Sequence, residues 1–505
     1  MPFDPNGAFV KKRFWPLADA DFFPAAYVHQ LRLLQDESFM SLTGYRMFTM
    51  MDGMPKWAVL ILACWASLLP TAAVAWQDET PPNIIFIMAD DLGFNDVGFN
   101  GGTEIKTPNL DGLAKQGAIL RALYVQPGCS ATRAAFLTGR YPIRYGLQAG
   151  NIRPADEFGL AIEEKTIADE LNRIGYRTAM IGKWHLGWAK PEYLPLARGF
   201  DLQYGMVRAD FIDYFKHERR DVGPDWYRQQ VPLEEEGYAT DLIADEAARV
   251  ISEHDAANPL FMFVAFNAPH SPLQIPRGDK IPEYANLSKA RGRYAQMVTT
   301  MDEGIGRILK ALDDSDLAEQ TIVVFCSDNG GADPGERSDN TPFRGGRGTL
   351  YEGGVRACAC IRWPGKIAPQ VYELPLHIVD WYPTLVAAAN LRLTKKDLDG
   401  HNRLYQLVGG DAQLESSLLI QARSSGSALR KGDWKLLRWS KADEEVVEEL
   451  YNLSTDPGEA NNLISDAEFS WRADDLRREL LAFERQQVTP LRHLNSDQDD
   501  NDDSD

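Results

Sequence analysis

The chain is short of positive charge and of cysteine, and both shortages narrow what it can be. Its 505 residues carry 53 Lys and Arg against 73 Asp and Glu, a formal net charge of -20. A nucleic-acid binder needs a clustered basic surface, so this balance argues against that class. The 5 cysteines have no paired spacing, which argues against a disulfide framework. Cys326, Cys358 and Cys360 are predicted to be buried small apolar residues.

The apolar run near the N-terminus is too short for a transmembrane helix, which needs about 20 apolar residues. It extends from Trp57 to Pro70, follows Lys56 and precedes Ala73-Val74-Ala75. A positive flank, an apolar stretch and small residues at the cleavage positions are typical of a secretory signal peptide. We therefore predict a signal peptide at 51–75 and export to the periplasm or the medium. Residues 1–50 are predicted to be an upstream extension that is not part of the mature protein, or a disordered segment. No stable membrane span is expected.

After the signal, short apolar runs alternate with amphipathic stretches, which predicts an α/β fold with a mostly parallel central sheet flanked by helices. A change in composition near residues 390–400 predicts a large domain at 82–392 and a smaller α+β domain with a short antiparallel sheet at 393–490. The Asp-rich end, 491–505, is predicted to be disordered. The predicted strands are Ile84 to Met88, Arg177 to Ile181, Leu260 to Phe266, Thr321 to Phe325, Lys431 to Arg438 and Glu448 to Leu453.

Polar side chains follow four of these runs at the point where each run ends. They are Asp90 and Asp91, Lys183 and His185, His270, and Asp328 and Asn329. In open α/β sheets ligands bind beyond the carboxyl ends of the strands. A single Asp-Asn-Gly after a strand is usually only a turn. Polar residues at the ends of four strands, however, predict an active site.

The residue types at this predicted site indicate its chemistry. Asp90, Asp91, Asp328 and Asn329 offer only oxygen ligands, which suit Ca²⁺ or Mg²⁺ rather than zinc. Lys183 and the two histidines add groups that hold an anion and move protons. A phosphate ester and a sulfate ester both fit this set, and the residues alone leave the choice open.

The segment around Cys129 resembles the signature of the sulfatase family, in which this cysteine is oxidised to formylglycine. The motifs that carry the resemblance are Cys129-Ser130-Ala131-Thr132-Arg133, Leu137-Thr138-Gly139-Arg140, Ala89-Asp90-Asp91-Leu92-Gly93, Thr107-Pro108-Asn109-Leu110-Asp111, Gly182-Lys183-Trp184-His185-Leu186-Gly187, Asp328-Asn329-Gly330-Gly331, Tyr351-Glu352-Gly353-Gly354 and Asp380-Trp381-Tyr382-Pro383-Thr384-Leu385. They cover nearly the whole chain after the signal. Arg140 to Gln148 and Tyr214 to Arg219 resemble the arylsulfatase B (N-acetylgalactosamine-4-sulfatase) branch of this family.

The resemblance implies a role for each matching position. Formylglycine 129 would bind the metal together with the Asp and Asn ligands, and a formylglycine-generating enzyme would be needed during maturation. Arg133 and Lys183 would hold the formylglycine and the sulfate. His185 would take a proton from the formylglycine hydrate, and His270 would help protonate the departing alcohol. The substrate would be a sulfate ester, with a sulfated carbohydrate as the expected class.

Two positions depart from the family pattern. Ala131 stands where the family usually has Pro, which could lower the efficiency of cysteine conversion. Arg347 stands where the family usually has a Lys that binds sulfate, and it keeps the charge in a planar, forked group. Three alternatives stay open: a related phosphonate or phosphate-ester hydrolase, a glycan-binding relative without turnover, and a phosphatase that uses Ser130 directly.

Overall fold

The computed structural model describes residues 80–148, 150–208, 211–219, 222–276, 282–410, 417–422, 426–440 and 446–491. All of them belong to one unit of the chain, Glu79–Asp505. The extension predicted at 1–50, the signal peptide predicted at 51–75 and nearly all of the acidic tail predicted at 491–505 lie outside the described residues. None of the described helices combines the length and the apolar character that a membrane crossing requires.

The described strands alternate with helices along the chain. In chain order the strands are β1 (Asn83–Ala89), β2 (Ala118–Leu120), β3 (Leu123–Tyr124), β4 (Arg177–Gly182), β5 (Leu202–Gly205), β6 (Glu218–Arg219), β7 (Gly223–Pro224), β8 (Tyr227–Arg228), β9 (Val231–Pro232), β10 (Leu260–Ala265), β11 (Thr321–Ser327), β12 (Arg356–Ala357), β13 (Ala359–Arg362), β14 (Gln370–Tyr372), β15 (Leu376–His377), β16 (Ser417–Ala422), β17 (Gly426–Lys431), β18 (Trp434–Ser440) and β19 (Val446–Asn452). The α-helices are α1 (Pro108–Lys115), α2 (Cys129–Thr138), α3 (Ile167–Asn172), α4 (Ala239–Ser252), α5 (Lys289–Asp314), α6 (Glu352–Val355), α7 (Trp381–Ala388), α8 (Leu404–Leu407) and α9 (Ser470–Glu484).

The main sheet has the strand order β14-β2-β13-β11-β1-β10-β4-β5-β8-β9. Its centre, β11-β1-β10-β4-β5, is parallel, and antiparallel strands flank it on both sides. The register pairs Ala89 with Ser327 and Ala265 with Gly182. The carboxyl ends of neighbouring parallel strands are therefore level, so residues that follow them share one rim of the sheet.

Helices cover both faces of this sheet because the side chains of a strand point alternately to opposite sides. Ile85 and Ile87 of β1 belong to the same buried cluster as side chains of α1, α4 and α5. Phe86 points the other way, where its ring stacks on Phe136 of α2 with centroids 3.9 Å apart and meets Trp381 of α7 edge-on. The nearly continuous apolar runs of β1, β10 and β11 follow from this two-sided burial.

The C-terminal part of the chain forms a separate antiparallel sheet, β16-β17-β18-β19, with α9 packed against β17 and β18. This arrangement confirms the predicted fold class. One predicted strand, Lys431 to Arg438, is wrong in detail: β17 ends at Lys431 and β18 begins at Trp434. Gly432 lies between them with φ 58, a left-handed conformation that glycine adopts without steric cost, and the chain reverses there.

A buried ionic cluster joins the C-terminal sheet to the rest of the described chain. Lys435 of β18 places its Nζ 2.9 Å from carboxylate oxygens of both Glu352 and Glu459. The other carboxylate oxygen of Glu352 accepts a hydrogen bond of 2.5 Å from the Tyr124 hydroxyl. Burial would raise the pKa of Glu352, but Lys435 and neighbouring arginines outweigh it and hold that pKa below its ordinary value.

Candidate active site

The polar residues predicted at the strand ends come together at the carboxyl rim of the parallel strands. Asp90 and Asp91 follow β1, Lys183 follows β4, and Asp328 and Asn329 follow β11. Backbone hydrogen bonds hold these segments to neighbouring strands: the amide of Lys183 donates to Ala265 at 2.7 Å, and that of Asp328 to Ala89 at 3.0 Å. The level strand ends thus bring together residues more than 200 positions apart in the sequence.

Cys129 is the first residue of α2, and it is fully buried against this rim. Its Sγ lies 3.4 Å from Asp90 Oδ1 and 3.4 Å from Asn329 Oδ1. Burial raises the pKa of the Cys129 thiol well above its ordinary value, and the carboxylates of Asp328 and Asp90 raise it further.

Three carboxylates surround the cysteine closely enough to share one cation. Ligand atoms of Asp90, Asp91, Cys129 and Asp328 all lie within 4.8 Å of one another, and all four residues are buried. Asn329 adjoins them, since its Nδ2 donates to Asp91 Oδ1 at 2.6 Å. Buried like charges at this spacing repel strongly unless positive charge is close. The cluster of oxygen ligands therefore fits a hard divalent cation such as Ca²⁺ or Mg²⁺.

Two fully buried cations neutralise part of this cluster. Lys183 Nζ donates to Asp90 Oδ2 at 2.6 Å. Arg133, one turn after Cys129 in α2, donates from Nη2 to Asp328 Oδ2 at 2.8 Å and from Nη1 to the Lys183 carbonyl at 2.8 Å. Burial would raise the pKa of Asp90, but Lys183, with His270 and Arg133, holds it below its ordinary value. Burial and the adjacent Asp90 raise the pKa of Asp328.

Arg347 also reaches the cluster. Its Nε lies 3.3 Å from Asp91 Oδ1, and its side chain is 15% exposed. The loop that carries it is fixed to the site, because the Arg347 amide donates to the Gly331 carbonyl and the amide of Gly348 donates to Pro127 at 2.9 Å, two residues before Cys129. The departure from the family pattern at this position thus places an arginine charge next to the carboxylates.

The two histidines flank the cluster and are held by the backbone. His185 Nε2 lies 2.9 Å from the Ile152 carbonyl, and the Ser130 hydroxyl donates to the His185 carbonyl at 2.9 Å. His270 Nδ1 lies 2.7 Å from the Ser271 carbonyl, and its Nε2 lies 3.7 Å from Asp91 Oδ2. Nine of the ten predicted site residues therefore lie in one network of contacts, and His185 adjoins it through Ser130.

Local strain and close packing accompany the site. Asp91 and His185 have φ values of 65 and 59, a left-handed conformation that is unfavourable for residues with a side chain and is concentrated at functional sites. A Cβ at Gly330 would lie 1.7 Å from the Gly353 carbonyl oxygen, so only glycine fits there. The Asp-Asn-Gly and Glu-Gly-Gly motifs are thus coupled by contact between their backbones.

Some residues that shape the site were not predicted to do so. The Tyr214 hydroxyl lies 2.6 Å from the Asn267 carbonyl and 2.8 Å from the His270 carbonyl, which holds the turn that carries His270. Asn151 accepts a hydrogen bond from the Ser130 amide at the start of α2. Both contacts join separate loops, and the sequence does not show that these side chains bond across them. Tyr214 does begin the segment Tyr214 to Arg219 that carries part of the family resemblance, and this is the signal that could have indicated it.

Comparison with known proteins finds sulfatases among the relatives and among the similar structures. The Sulfatase family model matches residues 82–391. Arylsulfatase J of Mus musculus is 38% identical over 343 residues, which cover 66% of this chain and 56% of that protein. N-acetylgalactosamine-6-sulfatase of Mus musculus is 32% identical over 394 residues, with 73% and 74% covered. The crystal structure of Ps i-CgsB in complex with k-i-k-neocarrahexaose shares the fold with a TM-score of 0.75 and 31% identity, over 81% of this chain and 94% of that one.

These matches establish the family, but they do not favour the branch that the motifs predicted. They support N-acetylgalactosamine-6-sulfatase and arylsulfatase J as relatives, rather than the arylsulfatase B branch that the motifs predicted. The match to arylsulfatase J spans little more than half of that protein. The family model, however, covers more than half of this chain, and its named relatives are enzymes that hydrolyse sulfuric esters. The chain belongs to the sulfatase family.

Proposed function

We propose that this protein hydrolyses a sulfate ester on a sulfated carbohydrate, through a formylglycine made from Cys129 and with a bound Ca²⁺ or Mg²⁺. The observation that carries the proposal is the position of Cys129. Its Sγ lies 3.4 Å from both Asp90 and Asn329 in a buried cluster of carboxylates, and Lys183 and Arg133 accompany that cluster. Few structural roles explain a buried cysteine among so many charges.

The cation would be held by Asp90, Asp91, Asp328 and Asn329, all of which offer oxygen. When bound, it would supply positive charge to the oxygens of the sulfuryl group, as a Lewis acid does. The side chains already carry much of the arrangement that such binding requires, because Lys183 and Arg133 fix two of the carboxylates from the side. Little reorganisation of these ligands is then needed.

Formylglycine supplies, as its hydrate, two hydroxyls on one carbon, one to attack sulfur and one to expel the sulfate afterwards by re-forming the aldehyde. This chemistry explains why the site holds cations on several sides of Cys129. Lys183 and Arg347 carry charge that would hold the sulfuryl oxygens, and Arg133 holds Asp328 in place beside the nucleophile. Fixed charges of this kind stabilise a transition state without reorganisation.

The histidines would move the protons. We assign His185 the proton of the attacking hydroxyl; its carbonyl accepts a hydrogen bond from Ser130, the residue after Cys129, which supports this role. His270 would deliver a proton to the departing alcohol. Its ring is oriented by the hydrogen-bond contact of Nδ1 with the Ser271 carbonyl, which leaves Nε2 on the side of Asp91.

The position of Ser130 counts against the phosphatase alternative. Its hydroxyl donates to the His185 carbonyl at 2.9 Å and accepts from the amide of Ile152 at 3.0 Å. Both hydrogen bonds direct the hydroxyl to the backbone of neighbouring loops, whereas Cys129 faces the carboxylates. A serine engaged in this way is not placed to act as the nucleophile.

The substrate class and the cellular setting follow from the relatives and from the N-terminus. One relative is named N-acetylgalactosamine-6-sulfatase, and one similar structure was solved in complex with k-i-k-neocarrahexaose. A sulfated carbohydrate therefore suits this chain. The predicted signal peptide at 51–75 makes it an exported enzyme, periplasmic or secreted, which a formylglycine-generating enzyme would modify during maturation.

The proposal is tested with enzyme whose formylglycine content has been measured by mass spectrometry. Turnover of 4-nitrophenyl sulfate is compared with that of 4-nitrophenyl phosphate and of a phenyl phosphonate ester, and sulfate release is then measured on a panel of sulfated sugars. We expect sulfate esters to be hydrolysed fastest and Cys129→Ala to be inactive on all of them. A faster phosphonate or phosphate reaction would favour the related hydrolase instead. Binding of sulfated sugars without any turnover would favour the glycan-binding relative.

A further inference from the structure

A cationic stack lies beside the active site and has no part in the chemistry above. The guanidinium of Arg208 lies over the ring of Trp188, 4.1 Å from its centroid, and both residues are half-buried. Arg208 Nε and Trp188 Nε1 are both buried, and neither has a hydrogen-bond partner among the described residues. Two adjacent N–H donors without an acceptor, one of them charged, are unusual in a folded protein.

The segment that carries Arg208 is hydrogen-bonded to the loop that carries His185. The amide of His185 donates to the Val207 carbonyl at 3.2 Å, so Arg208 follows directly on a residue that contacts the site. The carboxylate of Asp225 accepts hydrogen bonds from the backbone amides of Val207 and Arg208. This acid therefore anchors the backbone of Arg208. Among the residues the structure describes, no carboxylate forms an ion pair with its guanidinium.

Phe211, close to Arg208 in the sequence, contacts the second histidine. Three residues after Arg208, the ring of Phe211 meets the ring of His270 edge-on, with centroids 5.0 Å apart. Trp188, for its part, lies three residues after His185. Trp188, Arg208 and Phe211 thus lie on segments that adjoin the two histidines, through the His185–Val207 hydrogen bond and the Phe211–His270 contact. The alcohol that carries the scissile sulfate would lie on this side, because His270 is the proposed donor to it.

We propose that Arg208, supported by Trp188, binds a second anionic group on the substrate, next to the sulfate that is removed. The inference rests on the proposed function, since it places the leaving alcohol by means of His270. An arginine supported by an aromatic ring can direct its remaining N–H donors to a planar or tetrahedral anion. A second sulfate and a carboxylate share this chemistry, so the substrate would be a sugar with two sulfates or a sulfated sugar joined to a uronate.

The chain contains a matched control for the stack itself. Arg472 lies over Trp471 at the same 4.1 Å, on α9 and outside the described active site. Trp471 is 60% exposed. If Arg208 serves only to cover a tryptophan, Arg208→Ala and Arg472→Ala should have similar consequences. If it binds an anion at the site, only Arg208→Ala should alter ligand binding.

Binding is measured by calorimetry in the Cys129→Ala background, where no ligand is turned over. The ligands are N-acetylgalactosamine 4-sulfate, the 6-sulfate and the 4,6-disulfate, with a sulfated uronate disaccharide and its methyl ester as a second set. We expect at least one doubly anionic ligand to bind about 10- to 100-fold more tightly than its singly charged match, as a charge-assisted hydrogen bond implies. The set in which this preference appears distinguishes sulfate from carboxylate.

Arg208→Ala and Arg208→Gln should remove the preference, and Arg472→Ala should leave it unchanged. With Cys129 intact, Arg208→Ala should turn over 4-nitrophenyl sulfate within about twofold of wild type, since that substrate has no second anion. A preference that survives both Arg208 variants, or the lack of any preference in the parent, would overturn the inference. Failure of the proposed function has a different signature: fully converted enzyme that does not hydrolyse any sulfate ester.

Discussion

Replacing Arg347 by alanine removes the one site cation that departs from the family pattern. Its Nε lies 3.3 Å from Asp91 Oδ1, and its side chain is 15% exposed. At this separation the attraction between unit charges is about 5 kcal/mol with an effective dielectric constant near 20. Desolvation offsets part of that attraction, and low exposure limits screening by water and salt.

The expected loss of activity follows from what the cation faces. If Arg347 holds sulfuryl oxygens as well as Asp91, its removal should cost about 2–4 kcal/mol of transition-state stabilisation, as the loss of an oxyanion-hole donor does. Arg347→Ala should then lower kcat/KM about 10²- to 10³-fold. Arg347→Lys should retain activity to within about tenfold, because the charge persists although the forked geometry does not.

The assay is hydrolysis of 4-nitrophenyl sulfate at saturating Ca²⁺, so that weaker cation binding is not mistaken for lost catalysis. Arg344→Ala is the control: it removes a cation from the same loop, where Arg344 stacks on Tyr351 and donates to the Glu459 carbonyl, away from the carboxylate cluster. We expect this control to stay within about twofold of wild type. An Arg347→Ala enzyme within the same limit at saturating Ca²⁺, with a loss only at lower Ca²⁺, would refute the reasoning.

Four further outcomes are expected. Conversion of Cys129 should lower the mass of its tryptic peptide by about 18 Da, as CH₂SH becomes CHO, and active enzyme that contains only the unmodified cysteine would contradict this. Activity lost on chelation should return with Ca²⁺ or Mg²⁺, whereas recovery with zinc alone would mean that the ligands are misassigned. Lys435→Met removes the buried cation that Glu352 and Glu459 share, so urea titration should show a loss of about 3–5 kcal/mol in the free energy of unfolding. Adding Glu352→Gln and Glu459→Gln should restore most of this loss, and an equal loss in both variants would indicate lost packing instead. Burial lowers the pKa of His377 to about 3, whereas the unfolded chain binds that proton near pH 6.5, at about the ordinary pKa; stability should fall as pH drops from 6.5 toward 3, and a slope unchanged in His377→Gln would assign this loss to other groups.

Much of the fold and the composition of the candidate site could be predicted because both depend on local patterns. Strands buried on both faces are apolar throughout, so the runs at Ile84 and Thr321 stood out, and the polar residues after them followed at once. Parallel strands end level with one another, which is why Asp90 and Asp328 could be expected to meet. The motif around Cys129 identified the family for a similar reason, since it is a short continuous segment.

Only the tertiary structure shows which charged side chains pair within that site. Asp90 has Lys183 as its closest cation, and Asp328 has Arg133, 195 positions away. The choice depends on the rotation of α2 above the sheet and on how far each side chain reaches, neither of which is encoded in local spacing. The same holds for Arg208 on Trp188. Residue types and spacing decide which groups arrive at a rim, but packing between distant segments decides which of them touch, because a hydrogen bond requires alignment to within a fraction of an ångström.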